Sequence, residues 1–294
     1  MLGTTMTYFE FSESEVAALA QSDVARALAE DVGSGDLTAA LIDPTRRTRA
    51  RVLAREAAVI CGAPWAEATL RQLDPSATWR WQVAEGQRCA QDQVVLEIEG
   101  QAQALLTAER TALNFLQLLS AVASQTAVYV DAVAGVPGNR AHIVDTRKTL
   151  PGLRLAQKYA VRTGGGTNHR IGLFDAVLIK ENHIAAAGGV SAVLRSAAAL
   201  AGQAKFIEIE VETLAQLDEA LGAGAKMVLL DNMGLDQLRQ AVQMNAGRAV
   251  LEVSGGVNLG TVRDIAATGV DRISIGALTK DVKATDFSMR FEEI

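Results

Sequence analysis

The sequence predicts an α/β protein: a C-terminal β/α barrel preceded by a smaller N-terminal α+β domain. Two observations carry this. After Gly135-Val136-Pro137-Gly138 the chain repeats a unit of short apolar strand, loop and alanine-rich helix, the texture of a parallel sheet wrapped by helices. Six strands are readable, at 142–146, 176–182, 205–212, 227–232, 249–255 and 272–278. Six is fewer than the eight of a closed barrel, so the barrel is open or holds a further strand; a flat, doubly wound sheet is the alternative. Before that break, WRWQV alternates with period two, Glu85-Gly86 marks a turn and VVLEIEG gives another strand, which reads as a small antiparallel sheet. The expected domains are 1–115 and 116–278, with the tail 279–294 packing on the first.

The first helix opens on a capping box, Ser12 to Glu15, ahead of a stripe of Val16, Leu19, Val24 and Leu28, and ends at Gly33 and Gly35. Asp36 or Thr38 caps the short turn DLTAALI. A strand is expected within 49–62, and Pro64 starts a helix that runs through Leu73. Thr107 reads as the cap of a long helix with Leu113, Leu116, Leu119 and Val122 at core spacing. Arg110 then falls in its first turn, where the helix dipole disfavours a cation. Pairing with Glu109 and reaching out to a ligand are both open.

Composition narrows the class. Of 294 residues 49% are hydrophobic and 21% charged, enough for a sizeable core. The formal net charge of −6 argues against a general nucleic-acid binder, which needs a broad basic face. Cys61 and Cys89 have no metal-ligand spacing and read as reduced thiols of a cytoplasmic protein. MLGTTMTYFEFSES has no basic and apolar regions of an export signal. No run is expected to span a membrane, because LLSAVASQTAVYVDAV is broken by Ser, Gln and Thr.

Inside this acidic chain lies a basic island. Residues 140–183 hold eight Arg and Lys against three acids, and all three histidines. Arg154, Lys158 and Arg162 recur at i, i+4, i+8, the pattern of a solvated helix face. Arg147, Lys148, Arg170 and Lys180 instead sit beside turns or at the ends of apolar runs, where ligand-binding groups gather. Gly164-Gly165-Gly166 reads as a hinge presenting His169 and Arg170.

Reactive groups of a β/α barrel project from the C-terminal ends of its strands. Read in order, those ends carry Asp145-Thr146-Arg147-Lys148, Lys180-Glu181-Asn182, Glu208 with Glu210 and Glu212, Asp231-Asn232, Glu252-Val253-Ser254-Gly255-Gly256 and Ser274-Ile275-Gly276. Glu208, Glu210 and Glu212 alternate with Ile209 and Val211, so the three carboxylates share one face, directed into the barrel. Two accounts suit them: an ion network with Arg147, Lys148 and Lys180, or oxygen ligands for Mg²⁺ from Glu210 and Asp231. The glycine turns after the last two strands suit a phosphate. The spacing thus implies an enzyme with a phosphate pocket, a Mg²⁺ site and cations for an anionic substrate. A Schiff-base aldolase using Lys180 and a non-catalytic phosphate-binding regulator stand as rivals.

These residues also carry a family likeness. The block DTRKTLPGLRLAQKYAVRTGGGTNHRIGLFDAVLIKENHI, with EIEVETLAQLDEAL, VLLDNM, LEVSGGVNL and GVDRISIGALT, resembles quinolinate phosphoribosyltransferase. EDVGSGDLTAALI and ERTALNFLQLLSAVAS extend the likeness over nearly the whole chain. The resemblance implies transfer of phosphoribose from phosphoribosyl pyrophosphate (PRPP) to the ring nitrogen of quinolinate, with loss of pyrophosphate and CO₂, in NAD biosynthesis. It assigns Arg147, His169, Arg170 and Lys180 to the two carboxylates of quinolinate, with Thr146 beside them. It assigns Lys148 to the PRPP phosphates, Glu210 and Asp231 to Mg²⁺ and the ribose, and Ser254, Gly255, Gly256, Ser274, Ile275 and Gly276 to the 5′-phosphate. Lys148, Lys180, Glu210 and Asp231 are the residues expected to act in catalysis. Arg110 would come from the neighbouring subunit of a homodimer.

Overall fold

A computed structural model describes residues 11–292. The stretch MLGTTMTYFE, most of the segment read for an export signal, lies outside the described residues, as do the last two. The chain divides into two compact units. One gathers the described residues of 10–127, 150–165 and 279–294; the other gathers 128–149 and 166–278.

The N-terminal unit begins with α1 (Glu13–Asp31), whose Ser12–Glu15 capping box forms as the sequence predicts. Asp36 accepts from the N–H groups of Thr38 and Ala39, at 2.9 Å each, to cap a 3-10 turn at Ala39–Leu41. Then follow β1 (Arg47–Ala54), β2 (Ala58–Val59), α2 (Ala63–Leu73), β3 (Thr78–Trp81), β4 (Arg88–Cys89) and β5 (Val94–Gln101). The expected 49–62 strand stops at Ala54, and β2 pairs separately with β4.

The main sheet is antiparallel in the order β12-β1-β5-β3, and β12 (Phe287–Phe291) comes from the C-terminal tail. Strand β1 alternates exposed arginines with buried Ala50, Val52 and Ala54. Its buried face packs with Val95, Leu96 and Ile98 of β5 and Leu105, Leu113 and Leu116 of α3 (Ala102–Ala134). Cys61 and Cys89 are both buried free thiols, and burial pushes each pKa up.

Helix α3 departs from expectation in three ways. It starts at Ala102, five residues before Thr107, whose hydroxyl bonds back to the Gln103 carbonyl and to Asp36, both at 3.0 Å. Thr107 is therefore not a cap, and Arg110 stands clear of the first turn, exposed. The domain border expected at 115 falls inside this uninterrupted helix, and 116–127 belong to the N-terminal unit. At 33 residues the helix is roughly 50 Å long, and it meets the length and apolarity of a membrane span; no such run was expected. Yet 61% of its most apolar window is buried in the fold. Its serines are also used internally: Ser120 bonds both backbone groups of Cys61, at 2.9 and 3.0 Å, and Ser124 accepts from Val59 N at 2.8 Å. It is the core helix of this fold.

The other unit is the parallel α/β part. After β6 (His142–Val144) the chain makes α4 (Arg154–Thr163), which groups with the N-terminal unit, then β7 (Val177–Ile179), α5 (Glu181–Ala187), α6 (Val190–Ala197), β8 (Ile207–Val211), α7 (Leu214–Gly222), β9 (Met227–Asp231), α8 (Leu235–Asn245), β10 (Val250–Ser254), α9 (Val262–Ala266) and β11 (Arg272–Ser274). All six predicted strands are present in one parallel sheet, ordered β6-β11-β10-β9-β8-β7. The first strand pairs with the last and the rest follow in sequence. That is barrel order; a doubly wound sheet reverses direction part-way.

The sheet also curls. Thr167 bridges to Val144 on the edge of β6 away from β11. In a flat sheet that segment would stand five strand spacings from β8, roughly 24 Å. Instead His169 Nε2 meets Glu208 of β8 at 2.7 Å. The 167–169 segment supplies part of the missing wall, so the barrel is nearly closed with six strands.

Two helical readings need correction. Lys158 is fully buried, so Arg154, Lys158 and Arg162 do not form one solvated face. The glycine triplet is no hinge: Gly164 ends α4, with its N–H bonded to Ala160 O at 2.9 Å. A Cβ there would lie 2.3 Å from Ala123 O and 2.8 Å from Thr126 Cβ of α3. Gly164→Ala should therefore cost about 1–3 kcal/mol in urea unfolding, and an unchanged midpoint would contradict this close helix approach.

Candidate active site

The register of the parallel sheet decides where the site lies. Ile179 pairs with Ile209, Val211 with Leu230, Asp231 with Ser254, Val253 with Ile273 and Ser274 with Val144. The C-terminal ends of all six strands thus come out at one mouth. Thr146, Arg147, Lys148, Lys180, Glu210, Asp231, Ser254, Gly255, Gly256 and Gly276 all follow or finish those strands.

The three glutamates of β8 form a ladder of depth. Glu208 is fully buried, Glu210 partly so, and Glu212 is exposed at the rim, while Ile209 and Val211 are fully buried on the opposite face. Glu208 is balanced by a group that the expected network of Arg147, Lys148 and Lys180 left out. Beneath the mouth, Glu208 meets His169, Arg272 Nε donates to Glu252 at 2.6 Å, and His169 Nε2 lies 3.6 Å from Glu252. Burial and the neighbouring Glu252 push Glu208 up. Burial also opposes ionisation of Glu252, but the His169 and Arg272 charges outweigh it and hold Glu252 below the usual range.

His169, Glu208 and Glu252 offer three donor atoms within 4.8 Å of one another, as a metal site would. They are already bonded among themselves and to Arg272, whose guanidinium would stand as a like charge beside any cation.

The state of His169 involves two opposing effects. Burial lowers its pKa, but the two carboxylates outweigh that and raise it overall. Against this, Arg170 N–H donates to His169 Nδ1 at 2.8 Å, which requires that nitrogen to be bare. A proton there would face the Arg170 N–H head on, so we place the ring proton at Nε2, shared with Glu208. Both ring nitrogens are then engaged within the protein. Nδ1 of His169 thereby anchors the Arg170 backbone.

Asp145, at the end of β6, completes this support. It accepts from His169 N at 2.8 Å and from the Asn168 carboxamide at 2.6 Å. Asp175 accepts from the N–H groups of Ile171 and Gly172, at 2.8 and 2.9 Å, and so shapes the loop after Arg170. Arg170 itself, half-buried, reaches Ala176 O at 3.5 Å. Burial first, and then the like charge of Arg147, pull its pKa down. Two guanidinium groups that repel each other at one strand-end mouth are suited to an anion.

On the acidic side Lys180 Nζ lies 3.3 Å from Glu210, an ion pair that a Schiff-base nucleophile would have to give up. Burial raises the Glu210 pKa; Lys180 opposes this, and Asp231 and Glu181 add to it. On the opposite wall Lys148 N donates to Thr146 Oγ1 at 3.1 Å, and the Lys148 chain passes 3.1 Å from where a Cβ on Gly276 would be.

Ser274 and Ile275 each bond across the sheet. The Ser274 hydroxyl bonds Val253 O at 3.2 Å and Ile275 N–H bonds Val144 O at 2.9 Å. They join β11 to its two neighbours and leave the turn glycines to face outward. Arg110 belongs to the N-terminal unit.

A cavity of about 900 Å³ lies within that same N-terminal unit. Its charged lining is Glu13, Glu67, Glu85 and Arg71, the wrong sign for an acidic ligand.

Fold and mouth together define a barrel enzyme that handles a small polyanion and a phosphorylated partner. The comparisons agree. Residues 36–120 match the quinolinate phosphoribosyl transferase N-terminal domain and residues 122–290 its C-terminal domain. The chain belongs to the quinolinate phosphoribosyl transferase family. It is 42% identical, over 92% of its length and 96% of the relative's, to the nicotinate-nucleotide pyrophosphorylase [carboxylating] of Mycobacterium leprae. It is 39% identical to the probable enzyme of that name from Bacillus subtilis, over 88% of this chain and 89% of that one. The structure of the nicotinate-nucleotide pyrophosphorylase from Francisella tularensis superposes with a TM-score of 0.90 at 42% identity, covering 94% of this chain and 97% of that one.

The buried cluster makes one prediction. Glu208→Ala should cost about 1–3 kcal/mol, because it leaves the buried His169 Nε2–H without its acceptor. Glu208→Gln should cost much less, since an amide oxygen still accepts from His169. Equal losses in denaturant unfolding would show that the pairing at His169 is not what holds the cluster.

Proposed function

We propose that this protein transfers the phosphoribosyl group of PRPP to the ring nitrogen of quinolinate, releasing pyrophosphate and CO₂ and forming nicotinate mononucleotide. What supports the reading most is the mutual repulsion of Arg147 and Arg170 beside an acid-lined strand end. Planar guanidinium forks match carboxylates well, and a 1,2-diacid calls for more than one. Arg147, Arg170 and Lys180, with Thr146 beside them, hold the two carboxylates.

Positioning and electrostatics carry the chemistry. The pyridine nitrogen already has a lone pair, so its attack on C1′ needs no general base. As that bond forms, the bond from C1′ to the pyrophosphate oxygen breaks, and the electron pair leaves with pyrophosphate. Lys148 faces the departing phosphates. The ring nitrogen is now cationic and accepts the electron pair left at C2 when the adjacent carboxylate departs as CO₂; C2 then takes a proton. Gly255, Gly256 and Gly276 receive the 5′-phosphate.

Glu210 and Asp231 are the residues that would hold Mg²⁺. Glu210 pairs with the amine of Lys180 and also feels the negative charges of Asp231 and Glu181, and oxygen donors with excess negative charge suit that ion. Mg²⁺ bound with PRPP would supply charge neutralisation at the pyrophosphate. The exposed Arg110 completes the cation set from the partner subunit of a homodimer, and the protein works in the cytoplasm.

Incubation with quinolinate, PRPP and Mg²⁺ should yield nicotinate mononucleotide and CO₂, with nicotinate a poor substitute for quinolinate. A preparation that prefers nicotinate would overturn the diacid assignment. Arg147→Ala should raise KM for quinolinate by about two orders of magnitude, since truncating one side of a desolvated charge pair costs about 2–5 kcal/mol. Glu210→Ala should leave quinolinate binding in place and depress turnover with PRPP; a selective loss of quinolinate affinity would contradict its role.

A further inference from the structure

Asn232 stands between the acid end of the site and the glycine turn, and no role above is given to it. Its φ is +54°, one of three positive values at non-glycine positions among the described residues. The other two are ordinary: Asp92 lies in a turn and Ala246 caps α8. Asn232 instead follows directly on a parallel strand, where the chain has no need to reverse its twist. Asn tolerates this region better than most residues, and such conformations gather where function requires them.

Three contacts show what the conformation achieves. Asn232 N–H donates to Ser254 O at 3.0 Å. Its carboxamide donates to Asp231 Oδ2 at 2.7 Å. Its Oδ1 sits 2.1 Å from where a Cβ on Gly255 would be, so Gly255, at φ +99°, is needed to admit it. The side chain is exposed, and the β9–β10 register is already set by five residue pairs from Val250–Met227 to Ser254–Asp231. The fold does not require these contacts; the mouth acquires a fixed distance between a carboxylate and a glycine turn.

We propose that Asn232 is a positioning residue that holds the Asp231 carboxylate and the Gly255-Gly256 turn in one register, so that the ribose and the 5′-phosphate of a single PRPP molecule are met together. The inference rests on the function proposed above and adds to it a residue that governs PRPP and not quinolinate.

The test is steady-state kinetics of Asn232→Gly and Asn232→Asp with each substrate varied in turn, alongside thermal unfolding. Glycine keeps the backbone conformation and removes the carboxamide. Asn232→Gly should raise KM for PRPP about tenfold or more, the scale of one lost charge-assisted hydrogen bond. KM for quinolinate and the melting temperature should stay close to those of the unaltered protein. Asn232→Asp loses the donor and sets a like charge beside Asp231, so its KM for PRPP should rise further. An unchanged KM for PRPP in either variant, or an equal rise for both substrates, overturns the assignment. Failure of the functional reading looks different: the unaltered protein would not consume PRPP with quinolinate at all, and the assignment would fall with it.

Discussion

The structure depends on a pair of carboxylates placed where water cannot reach them. Glu208 and Glu252 are fully buried in the parallel unit, and isolated charges there would be prohibitively costly. They are tolerated because Arg272 and His169 arrive from other parts of the same sheet. Satisfying them draws the segment beside β6 towards β8, and that contact is what turns a row of parallel strands into a wall around a centre. The same contact supports Arg170, while the parallel register brings the strand ends to one mouth.

The site above this cluster works by contrast of charge. Arg147 and Arg170 repel one another, and Glu210 and Asp231 do likewise, with Lys180 paired to Glu210. Each group of like charges costs stability while the site is empty and repays it on binding, which is how preorganised electrostatic sites function. The depth ladder on β8 shows the division of labour within one strand. Glu208 supports the fold, Glu210 faces ligands, and Glu212 reaches solvent.

Neighbouring residues at the mouth likewise divide between scaffold and ligand. Ser274 and Ile275 bond to β10 and β6 and so fix the turn that presents Gly276. His169 does the same below Arg170. A residue's place at a strand end selects it as a candidate, but its hydrogen bonds decide whether anything is left over for a substrate.

The sequence by itself determined the six strands, the barrel class, the mouth at which charges gather and the family. Those properties are written in local periodicity and in residues whose chemistry is hard to explain otherwise, such as alternating glutamates on an apolar strand. It misjudged the start of α3, because Thr107 resembles a cap and only its bond to Gln103 shows it to be interior. It read Lys158 as solvated and Gly164 as a hinge, because burial against a distant helix leaves no mark on spacing. The pairing of Glu208 with His169 and of Glu252 with Arg272, and the clasp of Asn232 on Gly255, were decided by tertiary structure alone. Each joins residues at least twenty positions apart: pairing of neighbouring strands brings Glu252 to Arg272 and Asn232 to Gly255, and the curl of the sheet brings His169 to Glu208.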